Sequence, residues 1–150
     1  MSAAVLHIDA TGLNGIAEKF ERLQRRVADV SPLMDEIGSM LVASTQDRFE
    51  RGVDPDGRPW TPSGRVNMSQ GTAKTLLDSG RLMSSITHEP GNSQVEVGSN
   101  VIYAAIHQLG GQAGRGLAAT IPARPYLGVS AEDEREIGNI VDDYLAEALQ

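Results

Sequence analysis

At 150 residues the chain has room for one domain, residues 1–150, and with 40% apolar residues but only six aromatics its core must be filled by Leu, Ile, Val, Met and Ala. The absence of cysteine excludes a disulfide framework or thiolate site and fits an intracellular protein; no apolar run approaches the roughly 20 residues that span a bilayer, and the first residues do not read as a signal peptide. A net charge of −7, spread as −3 over 1–50, +2 over 51–129 and −6 over 130–150, argues against general nucleic-acid binding, which needs a basic stripe to displace phosphate counterions.

Val5-Leu6-His7-Ile8 is a short apolar run bounded by Asp9, Thr11 and Gly12, and predicts a first strand. Leu13, Ile16, Ala17, Phe20, Leu23 and Val27 then recur at helical spacing, with Glu18–Arg22 and Glu21–Arg25 placed to pair at i,i+4. Ser31-Pro32 restarts the pattern with an N-cap residue and a proline at the first helical position. Leu33, Ile37, Met40, Leu41 and Phe49, with the small Ser44, predict the buried stripe of a second helix running to about Glu50 and stopping at Gly52. Two such helices joined by a few residues pack antiparallel.

From Arg51 to Thr75 the periodicity vanishes. Asp54-Pro55-Asp56-Gly57-Arg58-Pro59-Trp60 is dense turn chemistry, and residues 61–75 read as a mobile loop able to order against a neighbour. Trp60, the only tryptophan, is either a plug at the edge of the core or an anchor for a partner. Asp78-Ser79-Gly80 turns the backbone between Leu77 and Leu82. Residues 84–89 and 94–98 alternate around Pro90-Gly91-Asn92-Ser93 as a hairpin. Ser99-Asn100 caps a short helix from Val101 to Leu109, closed by Gly110-Gly111; residues 112–118 form a flexible connection, and Ala119-Thr120-Ile121 one more strand. Ser130-Ala131-Glu132-Asp133 has the form of a capping box. The stripe Ile137, Ile140, Val141, Tyr144, Leu145, Ala148 and Leu149 follows it as a last helix. The order β, α, α, loop, β, β, α, β, α lacks regular βαβ units and predicts an α+β fold: a small, mainly antiparallel sheet with helices packed on it.

The sequence offers little to a chemist. His7, His88 and His107 lack metal-ligand spacing, no Walker A, dinucleotide or nucleophile-elbow motif is present, and no metal or cofactor is expected. A small hydrolase or transferase would have to use His107 in a cleft with Ser79, Ser99 or Asp78, and nothing in the spacing selects a partner. Arg81 and Arg124 sit in rigid turn contexts, the latter between Pro122 and Pro125. Each guanidinium is suited either to an internal bridge, for instance to Asp78 or Glu96, or to a contact between subunits.

Several of these blocks occur together in register: Phe49 to Gly52 leading into 54–60, then Leu77-Asp78-Ser79-Gly80-Arg81-Leu82, Val97-Gly98-Ser99-Asn100, Tyr103-Ala104-Ala105-Ile106-His107-Gln108 and Ile121-Pro122-Ala123-Arg124-Pro125-Tyr126-Leu127-Gly128. In them the chain resembles the phage virion morphogenesis family, the tail-completion proteins of Mu-like and related tailed phages. Ser79 stands where the family pattern prefers threonine, and the 61–75 loop is shorter than in many relatives. The resemblance implies a non-enzymatic subunit that completes or terminates the tail and supports head–tail joining, with a fold like that of tail-terminator and neck proteins. It further implies a homo-oligomeric ring, commonly hexameric, at the neck of the virion, assembled in the host cytoplasm against tail-tube and head-completion proteins, with DNA passing through the lumen unbound. On that implication Trp60, Arg81, Tyr103, His107, Arg124 and Tyr126 are candidates for the protein interface.

Overall fold

A computed structural model describes residues 4–8, 16–26 and 28–148. The elements are β1 (Ala4–Ile8), α1 (Ala17–Arg26), α2 (Ser31–Arg51), α3 (Gly64–Met68), α4 (Arg81–Ser84), β2 (Thr87–Pro90), β3 (Val95–Ser99), α5 (Ala104–Leu109), β4 (Gly111–Ala113), a 3-10 turn (Arg115–Leu117), β5 (Ala119–Ile121) and α6 (Ala131–Ala148). All strand pairing among the described residues is antiparallel, in a three-stranded sheet of order β1-β3-β2 and a separate β4-β5 hairpin. The fold is α+β, as the order of elements implied.

The central strand β3 pairs Val95 with Ile8, Val97 with Leu6 and Ser99 with Ala4. Its odd-numbered residues face inward and are buried with Ala4 and Ile8, the period-2 alternation expected of a half-buried strand. Against this face lies α2, burying Leu33, Met34, Ile37 and Leu41. The approach is close at Gly38, where a Cβ would fall 2.5 Å from the ring of His88. His88 in turn bonds Asp35 Oδ1 at 2.7 Å, tying the sheet's far strand to the helix. α6 packs on α2 through Ile137, Ile140 and Val141, and α1 packs on α6 through the described part of its stripe, Ile16 and Leu23 being buried. Leu13, Val27 and Leu149, and the side chains of Ala17 and Phe20, lie outside the described residues.

Local chemistry explains where the elements differ from expectation. Helix α2 begins one residue earlier in capping terms: Val30 is the N-cap, and the Ser31 N–H is taken by the carboxylate of Asp29 at 2.9 Å. It ends as expected at Gly52, in the left-handed conformation that glycine adopts without penalty. Its buried stripe continues through Thr45, Arg48 and Phe49, while Met40 and Ser44 sit only half-buried at its margin. The loop 61–75 is ordered within the chain. Ser63 caps α3 by accepting the Val66 N–H, the Ser69 hydroxyl donates to the Val66 carbonyl at 2.9 Å, and Lys74 reaches Glu50 at 2.6 Å. Residues 84–86 leave the expected strand because the Ser84 and Ser85 hydroxyls donate back to the Gly80 and Leu82 carbonyls, closing a helical turn. The hairpin proper starts at Thr87 and turns through a Gly91 N–H to Gln94 carbonyl bond of 2.7 Å. The Gly- and Ala-rich stretch 112–118 forms β4 and the 3-10 turn of the second hairpin. Helix α5 starts at Ala104 because Ser99 Oγ accepts the Val101 N–H and holds 99–103 as a turn. Of the two expected ion pairs on α1, Glu21–Arg25 closes at 3.7 Å and Glu18–Arg22 does not. No helix among the described residues is long and apolar enough to cross a membrane.

Candidate docking cleft

Two internal braces hold the motif blocks in place. The first centres on Arg48 and Asp133, whose side chains are only 4% and 6% exposed and form an ion pair. Arg48 also donates to the Tyr126 carbonyl at 2.9 Å and to Ser44 Oγ at 3.2 Å. Asp133 accepts the Ser44 hydroxyl at 2.6 Å and the Ser130 N–H at 3.0 Å, while Ser130 Oγ accepts the Asp133 N–H at 3.0 Å. This is the expected capping box, with an aspartate as its return arm. The same carboxylate therefore starts α6 and neutralises a guanidinium whose own pKa burial pushes down. Neither residue was among the sequence candidates, although a lone Arg48 on the Leu41–Thr45 stripe is a visible anomaly.

The second brace is aromatic. The turn 53–59 is closed by the Asp54 carboxylate, which accepts the N–H groups of Asp56 and Arg58 at 2.9 and 2.8 Å. It delivers Trp60 edge-on to Phe49, ring centroids 5.7 Å apart, and Tyr126 also meets Phe49, tilted, at 5.1 Å. Trp60 Nε1 donates to the Pro125 carbonyl at 2.8 Å, and Tyr126 donates its hydroxyl to the Ala104 carbonyl at 2.7 Å. Burial lifts the Tyr126 phenol to a pKa of about 12. Gln108 straps the same segment, accepting from the Tyr126 and Leu127 N–H groups and donating to the Leu127 carbonyl. Gly128 lets the segment lie against the turn, since a Cβ there would meet Pro55 at 2.5 Å. Trp60 and Tyr126 are thus core residues of the monomer, and Trp60 takes the plug role of its two readings.

The other four candidates come together. Arg81, Tyr103, His107 and Arg124 line one cleft of about 370 Å³, with Arg65, Asp78 and Ser79 at its wall and Leu76 and Leu82 among its apolar surface. Arg124 is 6% exposed; its Nε donates to the Thr61 carbonyl at 2.7 Å and its backbone N–H to the His107 carbonyl at 2.7 Å. Of the bridges expected for it, neither forms: Asp78 lies 3.7 Å from Arg65, and Glu96 faces His7. Arg81 is exposed and its side chain has no partner among the described residues. His107 meets Tyr103 edge-on at 5.9 Å, and its Nδ1 is buried without a hydrogen-bond partner. Burial, and then the neighbouring Arg124 charge, lower its pKa, so the ring is neutral near pH 7. The cleft does gather His107 with Ser79 and Asp78, but no hydrogen bond links them. Ser79 Oγ instead accepts the Arg81 N–H at 3.3 Å. Among the described residues no group of His, Asp and Glu is arranged to hold a metal.

Fold and site together define an α+β scaffold in which buried braces shape a cationic, solvent-open cleft. Residues 12–146 match the model of the Phage virion morphogenesis family, and the chain belongs to that family. With membership comes a structural part in phage assembly. The chain is 39% identical over 141 residues to the Mu-like prophage FluMu G protein 2 of Haemophilus influenzae (strain ATCC 51907 / DSM 11121 / KW20 / Rd), covering 93% of this chain and 96% of that protein. It is 34% identical over 122 residues to the putative capsid assembly protein G of Escherichia phage Mu, covering 76% and 78%. No solved structure matches.

Proposed function

We propose that this protein completes or terminates the phage tail and supports head–tail joining, as a ring-forming subunit of the neck that acts without catalysing a reaction. The observation that carries this reading is the convergence of Arg81, Tyr103, His107 and Arg124 on one cleft whose cations are underpaired and whose histidine has no nucleophile bonded to it. Such a surface is built to receive a neighbour's polar groups rather than to make and break bonds. The uneven charge fits a ring: a subunit in a closed ring needs two complementary faces, and an acidic lumen would repel DNA and let it pass.

The name of the phage Mu relative, a putative capsid assembly protein, favours a second reading, a part in building the capsid. Electron microscopy of lysates from a phage lacking this chain separates the two. Full heads beside unjoined tails are the expected result. Aberrant or missing heads would move the role to the capsid, and normal joined particles would overturn both.

A further inference from the structure

We propose that the arginine cleft is a receptor for carboxylates on α6 of a second copy of this chain, so that neighbouring copies join head to tail. The inference rests on the ring-forming reading above and names the contact that would close the ring.

The receptor side is a matter of unspent donors. Three guanidiniums, from Arg65, Arg81 and Arg124, line the cleft against the single carboxylate of Asp78, which is 83% exposed and reaches only Arg65. Arg124, only 6% exposed, commits Nε to Thr61, while its terminal nitrogens have no hydrogen-bond partner among the described residues and the residue lines the cleft. Arg81 is uncommitted. Two forks of this kind over apolar walls suit a carboxylate, which each can bind through paired N–H groups.

The donor side is equally unspent. Glu132, Glu136, Asp143 and Glu147 lie at i, i+4, i+11 and i+15 on α6, along one stripe that flanks the apolar face packed on α2, and all four are exposed. None has an ion pair or hydrogen bond among the described residues, whereas Asp142 beside them pairs with Lys19 at 2.8 Å. Left alone, such a stripe repels itself. It cannot reach its own chain's cleft by local rearrangement: the start of α6 lines a different cleft of about 620 Å³, which shares no residue with the first. A match made between copies satisfies both sides, and a match of one face to a different face propagates head to tail, into a ring where the rotation closes. DNA phosphates offer a similar anion, but the net charge of −7 opposes a polyanion where it permits a local carboxylate stripe.

The test uses the full chain, as wild type and three variants, in sedimentation at low and high salt. Wild type should self-associate, more weakly as salt rises. Arg81→Glu, a change at an exposed position that should leave the thermal melt unaltered, should weaken association at least about tenfold, which is about 1.4 kcal/mol. Neutralising the stripe (Glu132→Gln, Glu136→Gln, Asp143→Asn and Glu147→Gln together) should do the same. Combining the two sets should cost no more than the worse of them, because both remove one contact. Association unchanged by either set, or additive losses, would overturn the proposal. So would a wild type that stays monomeric while the deletion phage still shows unjoined heads and tails, a result that would leave the tail-completion role standing. Duplex DNA binding by wild type that is lost in Arg81→Glu would assign the cleft to phosphates instead.

Discussion

Replacing Asp133 with alanine should cost about 3–5 kcal/mol of folding free energy, a large share of the roughly 5–15 kcal/mol that holds a typical domain together. The reason is what remains behind. An arginine guanidinium keeps its proton in a protein, and the Arg48 side chain is 4% exposed with its other nitrogen contacts, the Tyr126 carbonyl and Ser44 Oγ, carrying no charge. The substitution therefore buries an uncompensated guanidinium, and it also frees the Ser130 N–H and the Ser44 hydroxyl that the carboxylate had accepted. Replacing both partners with apolar residues, Arg48→Met with Asp133→Leu, removes the orphaned charge and should be far milder than Asp133→Ala alone. Urea unfolding followed by circular dichroism measures both. Equal losses in the single and double variants would show that the pair matters as packing volume and not as compensated charge.

Trp60→Ala should cost about 3–5 kcal/mol as well, through the cavity it opens against Phe49 and the unpaired Pro125 carbonyl. Trp60→Phe, which keeps most of the volume but not the Nε1 donor, should lose about 1 kcal/mol for the missing hydrogen bond, plus whatever the smaller ring leaves unfilled. The effect reaches the cleft through one residue. Thr61, next in sequence, supplies the carbonyl that fixes Arg124, so a loosened Trp60 releases the guanidinium it helps to aim. Chemical denaturation monitored by circular dichroism gives the stability of each variant. Because Trp60 is the only tryptophan and lies 6% exposed, its emission in the wild type should be that of a buried indole before and after assembly. A large emission shift on assembly would return it to the surface as a partner's anchor.

Periodicity and turn chemistry made most of the scaffold readable. The α2 and α6 stripes, the β3 alternation, the Gly52 stop and the Ser130–Asp133 box are local signals, and local geometry decides them. The misses share a different cause. Nothing near Arg48 in sequence announces Asp133, which is 85 residues away, and the pairing exists only once α6 crosses α2. The loop 61–75 is ordered by serine and threonine hydroxyls bonding back to the backbone, chemistry that a composition of Ser, Thr, Gly and Asn hides rather than displays. Trp60 read as either a core plug or a partner's anchor, and Arg124 as either an internal bridge or a subunit contact, because the neighbours of both in sequence are turn formers. Only the tertiary approach of 53–60 to 122–128 shows that one fills the core while the other, bonded to Thr61, lines the cleft. That Arg81, Tyr103, His107 and Arg124 would share a cleft was likewise beyond the sequence, since they stand in three separate blocks.

Amide hydrogen exchange of the chain, free and within assembled particles, bears most directly on whether this cleft meets a neighbour. Segments 76–82 and 103–107 should exchange markedly more slowly in the particle, while the α2 and β3 amides, already closed off by the core, change little. Identical exchange of the cleft segments in both states would mean that no partner covers them, and the docking account would fall.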